Sequence, residues 1–116
     1  MRKGIKIGID EVGEGEVTES NTTVRIRYDL CLSRGDVVQK GIETKVDLFR
    51  RQAIAGLRYG IEGMRVGGHR RFRASPHLAY GESGVPEMIP PNAVLVFDVE
   101  LLEVISYPDA EVKEAL

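Results

Sequence analysis

Ala79-Tyr80-Gly81-Glu82-Ser83-Gly84-Val85-Pro86-Glu87-Met88-Ile89-Pro90-Pro91-Asn92-Ala93 runs without a break into Val94-Leu95-Val96-Phe97-Asp98-Val99-Glu100-Leu101-Leu102. The second half of this stretch has period two: Leu95, Phe97, Val99 and Leu101 alternate with residues that include Asp98 and Glu100. Alternation with charges on one side predicts a half-buried strand of an antiparallel sheet. The first half is a Gly- and Pro-rich loop, yet it holds Tyr80, Met88 and Ile89. Large apolar residues in a loop either fold back on the core or line a site. The residues alone leave both open.

Outward from this stretch, other segments show the same alternation. Thr22 to Leu32 places Val24, Ile26, Tyr28, Leu30 and Leu32 on one face and Arg25, Arg27, Asp29 and Cys31 on the other. A slip of one residue would bury the arginines, so the register is fixed. Tyr28 then points to the core or to a cavity in it, and its hydroxyl needs a partner or a wet opening. Gly4 to Asp10 alternates weakly, with Ile5, Ile7 and Ile9 together, and His69 to Ser75 sets Phe72 and Ala74 against Arg71 and Arg73. Arg70 falls on the apolar side of that strand, which suggests snorkelling at a strand end. Residues 34–52 are the least legible; Val37-Val38 and Val46-Asp47-Leu48-Phe49 read as two short strands.

Between these strands the period changes. Ile54, Leu57, Ile61 and Met64 are spaced three or four apart and share one helical face. Gly56, Gly60 and Gly63 weaken that helix, keep it to three turns or fewer and permit close backbone approach. One short helix cannot cover five to six antiparallel strands unless the sheet curls around it. The expected architecture is therefore α+β: a strongly curved antiparallel sheet, a half-barrel, wrapped around one short helix. An apolar hollow should remain between helix and strands.

Composition sets outer bounds. A length of 116 residues makes one domain, able to bury a core without metal or disulfide. A net charge of −2 argues against a general binder of nucleic acid or membrane surfaces. Cys31 is the one cysteine, and the N-terminus lacks the apolar run of a signal peptide, so the cytoplasm is the default. His69 and His77 with Cys31 make no zinc-spaced cluster, so no metal is expected. Ser75 and His77 lack an orienting acid. Gly60-Ile61-Glu62-Gly63 lacks the strand-to-helix context of a dinucleotide loop. The arginines of the outer face are expected to meet Asp98, Glu100 and Asp29 across strands.

Gly56 to Gly68 has the pattern Gly-Leu-x-x-Gly-Ile-x-x-Met-x-x-Gly-Gly. Together with Ser75-Pro76, Ala79-Tyr80-Gly81, Gly84, Ile89-Pro90-Pro91-Asn92-Ala93 and Leu95 to Leu102, it resembles the FKBP-type peptidyl-prolyl cis-trans isomerases. The resemblance covers roughly Ile5 to Ile105 and is strong after Ala53. It implies an FKBP-like domain over residues 1–105 with a C-terminal tail at 106–116. It also implies isomerisation of X-Pro bonds in peptides or unfolded protein clients, with no cofactor.

Carried over by position, Tyr28 and Phe97 resemble the aromatic walls of the family pocket. Ile54 matches the residue whose backbone N–H bonds a substrate carbonyl, with Ala53 beside it. Tyr80 matches the loop tyrosine whose hydroxyl bonds a substrate carbonyl, and Met88 and Ile89 resemble the flap. For Tyr28 and Phe97 taken singly, plain core packing is the commoner fate; the matched loop reverses that for the set. The departures are as informative. Leu57 stands where the family has a pocket-floor tryptophan, Val38-Gln39 where it has a Phe-Asp pair, and a phenylalanine is missing near Thr44 to Val46. These losses imply weaker isomerase activity and weak binding of macrolide inhibitors. They also keep open a noncatalytic module that holds a specific protein partner on the same fold.

Overall fold

The computed structural model describes residues 3–19, 22–50 and 53–106. Five strands form one antiparallel sheet: β1 (Ile5–Glu11), β2 (Thr23–Leu32), β3 (Val37–Asp47), β4 (His69–Ala74) and β5 (Leu95–Ser106), in the order β1-β4-β5-β2-β3. One helix, α1 (Ala55–Ile61), joins β3 to β4, and a 3₁₀ turn at Pro76–Leu78 leads into the long loop before β5. The rest of the expected tail, 107–116, lies outside the described residues.

The alternation in β2 and β5 is realised as expected. Val24, Ile26, Leu30 and Leu32 are buried with Leu95, Phe97, Val99 and Leu101 on the same face of the sheet. The helix lies on that face. Leu57 and Ile61 are buried, and Met64, just past the helix end, joins them. Gly60 makes this packing possible, because a Cβ there would sit 2.0 Å from the Phe72 ring. Any larger residue must push α1 off β4.

Three features differ from the sequence reading. Val37-Val38 and Val46-Asp47 are the two ends of one 11-residue strand, and Leu48-Phe49 fall in the turn that follows it. β3 pairs only with β2, so as an edge strand it shows solvent on much of its length. Its register shifts near Tyr28–Leu30 and Leu30–Cys31, and Gly41 has a φ of 63°. A shifted, half-exposed strand leaves no clean period. In β1 a second bulge lies between Ile7 and Ile9, which turns Ile9 out to 43 % exposure. Ile5 and Ile7 alone keep the inward side.

Arg70 is the third difference. It does not snorkel; it is 6 % exposed and fully satisfied. Its Nε and Nη2 donate to the Asp10 carboxylate, and Nη1 donates to the carbonyls of Gly60 (2.9 Å) and Glu62 (2.7 Å) at the end of α1. A cation at a helix C-terminus completes orphan carbonyls and complements the dipole. Arg70 thus ties the helix end to β1.

Candidate active site

The sheet face that carries α1 holds an open hollow of about 370 Å³, a ligand-sized volume. The protein's own side chains do not plug it. One wall is aromatic. Phe97 on β5 lies beside Tyr28 on β2, their ring centroids 6.0 Å apart and tilted by 56°. Phe72 on β4 stacks behind Phe97 at 5.5 Å. Phe97 is 2 % exposed and Phe72 1 %, so this wall is also core.

Tyr28 spans core and opening. Its hydroxyl donates to Gln39 Oε1 at 2.8 Å. Burial pushes its pKa above the ordinary phenol value, and the neighbouring Tyr80 adds to the rise. The phenol therefore stays protonated at neutral pH and keeps its donor role. The hydroxyl's need for a partner was legible from the sequence; Gln39 as that partner was not.

The opposite wall comes from β3 and the strap before α1. Gln39, Thr44 and Val46 line the hollow from β3, and Ala53, Ile54 and Leu57 from the strap and helix. The strap is pinned by three hydrogen bonds. Arg58 Nε donates to the Ala53 carbonyl at 3.1 Å, and the Ile54 carbonyl accepts the N–H groups of Leu57 (3.2 Å) and Arg58 (3.3 Å). With its carbonyl turned to the helix, Ile54 keeps an N–H that no carbonyl of the described residues receives. Tyr80 stands at the rim, 37 % exposed, from a loop held by Gly84 N–H to Tyr80 O and Asn92 N–H to Gly81 O.

Seven of the residues singled out in the sequence thus meet at one hollow: Tyr28, Gln39, Ala53, Ile54, Leu57, Tyr80 and Phe97. Three do not line it. Val38 is half-buried on β3 and packs on the core cluster. Ile89 is 6 % exposed, within the core, and is bridged to Val85 by paired backbone bonds of 2.8 Å. Met88 is 50 % exposed and borders a separate depression with Arg34 and Pro86. Leu30 lines the hollow without having been singled out, and Thr44, Lys45 and Val46 line it at the segment where the resemblance implied a missing pocket phenylalanine. The register sets them there: Thr44 faces Ile26 and Val46 faces Val24 across the strands.

On the other sheet face, charges pair across strands. Arg25 meets Glu103, Arg27 meets Glu100, and His69 bridges Glu11 and Asp98. Asp98 is thereby taken by His69, although its register partner on β4 is Arg71. Asp29 accepts the Gly41 N–H at 2.7 Å. Ser75 Oγ and His77 Nδ1 lie 2.7 Å apart, exposed. Among the described residues no cluster of metal-ligating side chains occurs, and no helix is long and apolar enough to cross a membrane.

Comparison with known proteins adds the relatives. The family model for FKBP-type peptidyl-prolyl cis-trans isomerase matches residues 13–102. "FK506-binding protein 4" of Aspergillus fumigatus is 42% identical over 105 residues, covering 88% of this chain and 21% of that protein. A "Probable FKBP-type peptidyl-prolyl cis-trans isomerase" of Haemophilus influenzae is 35% identical over 105 residues, 89% of this chain and 44% of that protein. Among solved structures, FkpA from Escherichia coli superposes with a TM-score of 0.75 at 34% identity, over 92% of this chain and 54% of that one. The chain thus spans between about a fifth and about half of the relatives it matches.

Proposed function

Because this chain belongs to the FKBP-type peptidyl-prolyl cis-trans isomerase family, we propose that it catalyses rotation about X-Pro bonds in the hollow between Phe97 and the Ile54 strap. The observation that carries this reading is the open volume of about 370 Å³, walled by Tyr28 and Phe97 and rimmed by Tyr80. Rotation about an amide breaks its resonance, a barrier of about 18–20 kcal/mol. No bond is made or broken, so the site needs only to bind the twisted amide better than the planar one. Each tenfold gain takes about 1.4 kcal/mol of that preference.

The residues divide the work. Phe97, Leu57 and Val46 give the pyrrolidine ring apolar contact and remove water from the amide, whose planar form water favours. The Ile54 N–H and the Tyr80 hydroxyl donate to substrate carbonyls on either side of the twisting bond. Tyr28 is held in place by Gln39 and fixes the position of the aromatic wall. Clients are exposed X-Pro bonds in peptides or folding chains, and the free thiol of Cys31 suits a reducing compartment such as the cytoplasm.

Leu57, where the family has a pocket-floor tryptophan, makes the floor of the hollow thinner. This supports activity and macrolide binding weaker than in relatives that keep that tryptophan, and it favours the second reading, a module that holds a protein partner without turnover. The test is refolding of a proline-limited protein. Catalytic amounts of the wild type should accelerate the slow phase, and Tyr80→Phe should reduce that acceleration by about three- to tenfold, one hydrogen bond's worth. A slow phase that stays unchanged at high protein concentration selects the noncatalytic module.

A further inference from the structure

A second hollow, of about 330 Å³, lies on the opposite sheet face, across β4 from the first, with Phe72 among the residues that border it. Its floor is Val96, an outward-facing residue only 8 % exposed. One side carries Lys6, Arg71 and Arg73, and the other carries Cys31 and Ser33. The register explains the grouping. Lys6 faces Arg73 across β1 and β4, Arg73 faces Val96, and Val96 faces Cys31. Gly8, at the β1 bulge, contributes no side chain to the lining.

This arrangement is electrostatically costly. Like charges directly opposite on neighbouring strands repel. The outward arginines elsewhere, Arg25 and Arg27, each have a carboxylate at 2.7 Å. Lys6, Arg71 and Arg73 have none within 4.0 Å among the described residues. Arg71 has lost its register partner, because Asp98 is engaged by His69. Three cations facing one concavity, unpaired on a protein of net charge −2, lack a counter-charge.

We propose that this hollow binds a phosphate monoester. Two guanidinium forks match the several oxygens of a phosphate better than a single carboxylate, and a lysine adds a compact third charge. The Ser33 hydroxyl supplies a further donor on the opposite rim, and the Val96 floor accommodates the apolar part of the ester. A volume near the lower limit of small-molecule pockets suits one phosphorylated side chain or a free phosphate ester, and not a helix. This site does not depend on the prolyl-bond reading.

The test is calorimetric titration at low salt with a proline-free peptide carrying one phosphoserine, with its unphosphorylated twin, and with inorganic phosphate. Proline is left out so that the first hollow contributes nothing. The phosphopeptide is expected to bind and its twin is not. The ratio of phosphopeptide to inorganic phosphate affinity tells whether the ester's carrier or the phosphate alone is read. Arg73→Gln and Lys6→Gln should each weaken binding by about tenfold or more, while Arg25→Gln, which removes the same charge elsewhere, should not. Binding should also raise the Tm of the wild type and not of Arg71→Gln/Arg73→Gln. Equal losses in Arg25→Gln and Arg73→Gln, or no binding by the wild type at millimolar phosphopeptide, overturns the assignment.

Discussion

The two walls of the prolyl hollow are built in opposite ways. The Phe97 wall is centred on β5, a strand with neighbours on both sides; Phe97 is 2 % exposed and Phe72, stacked behind it, 1 %, while Tyr28 at its edge is half-buried. The β3 wall belongs to an edge strand; its lining residues Gln39 and Thr44 are polar and half-buried, Lys45 is exposed, and Val46 alone is buried. The first wall is core as well as site, so it changes only at a cost to folding. In the second only Val46 is core, and its polar residues Gln39 and Thr44 lie outside the core cluster, so they can vary and set the depth of the pocket. Of the positions where the resemblance implies departures from the family, Gln39, Leu57 and Thr44 to Val46 border the hollow on this second wall and the floor beside it.

Substitutions on each wall separate these roles. Phe97→Ala should destabilise the protein by about 3–5 kcal/mol in urea unfolding, as expected for a buried aromatic ring. Thr44→Ala, on the other wall, should stay within about 0.5 kcal/mol of the wild type. Comparable losses from both would break the distinction. Leu57→Trp thickens the floor where the hollow is shallow. An aromatic contact of about 0.5–1.5 kcal/mol should raise kcat/KM on a Leu-Pro peptide by about three- to tenfold. A fall in kcat/KM with unchanged Tm would mean that the open space beside Leu57 is needed by substrate.

The bond between the walls comes next. Tyr28→Phe and Gln39→Leu each remove one end of the 2.8 Å contact. A double-mutant cycle on stability should give a coupling of about 0.5–1.5 kcal/mol. A coupling near zero would mean that the walls are held together by backbone pairing alone.

The smallest effect lies on the outer face, where His69 bridges β1 and β5. Hydrogen bonds to Glu11 and then Asp98 raise its pKa against a smaller opposing effect of burial. A raised folded-state pKa means that protonated His69 stabilises the fold. That contribution is fully present below the ordinary histidine value of about 6.5 and is lost as pH rises through the raised value. Partial exposure and screening hold it to about 0.2–1 kcal/mol. The difference in stability between the wild type and His69→Gln should therefore shrink as pH is raised across this window. A difference constant with pH contradicts it.

What was legible in the sequence follows the same division. β2 and β5 were readable because their core-facing positions are apolar and most of their outward positions are charged, which keeps a clear period of two. The helix was readable from Leu57 and Ile61, and the loop from its motif. β3 was not, because an edge strand with bulges and Gly41 has no sustained alternation, and its pairing with β2 is set by register. Gln39 as the partner of Tyr28 depends on that register, whereas Thr44 to Val46 was legible as a pocket segment only through the motif resemblance. Arg70 misled for a different reason: its acceptors, Gly60 O and Glu62 O, are main-chain atoms that no residue pattern displays. Met88 and Ile89 are neighbours with opposite fates, and only the Val85–Ile89 bridge decides which is turned in.

The central claim is that a prolyl bond turns against the Tyr28–Phe97 wall. The most direct measurement is two-dimensional NMR exchange on a Leu-Pro peptide with substoichiometric protein, combined with amide shift mapping of the protein. Faster cis-trans exchange, with perturbed amides clustered at Tyr28, Ile54, Tyr80 and Phe97, is the predicted result. Exchange at the uncatalysed rate, or perturbations confined to the β3 edge and the Met88 depression, would contradict it.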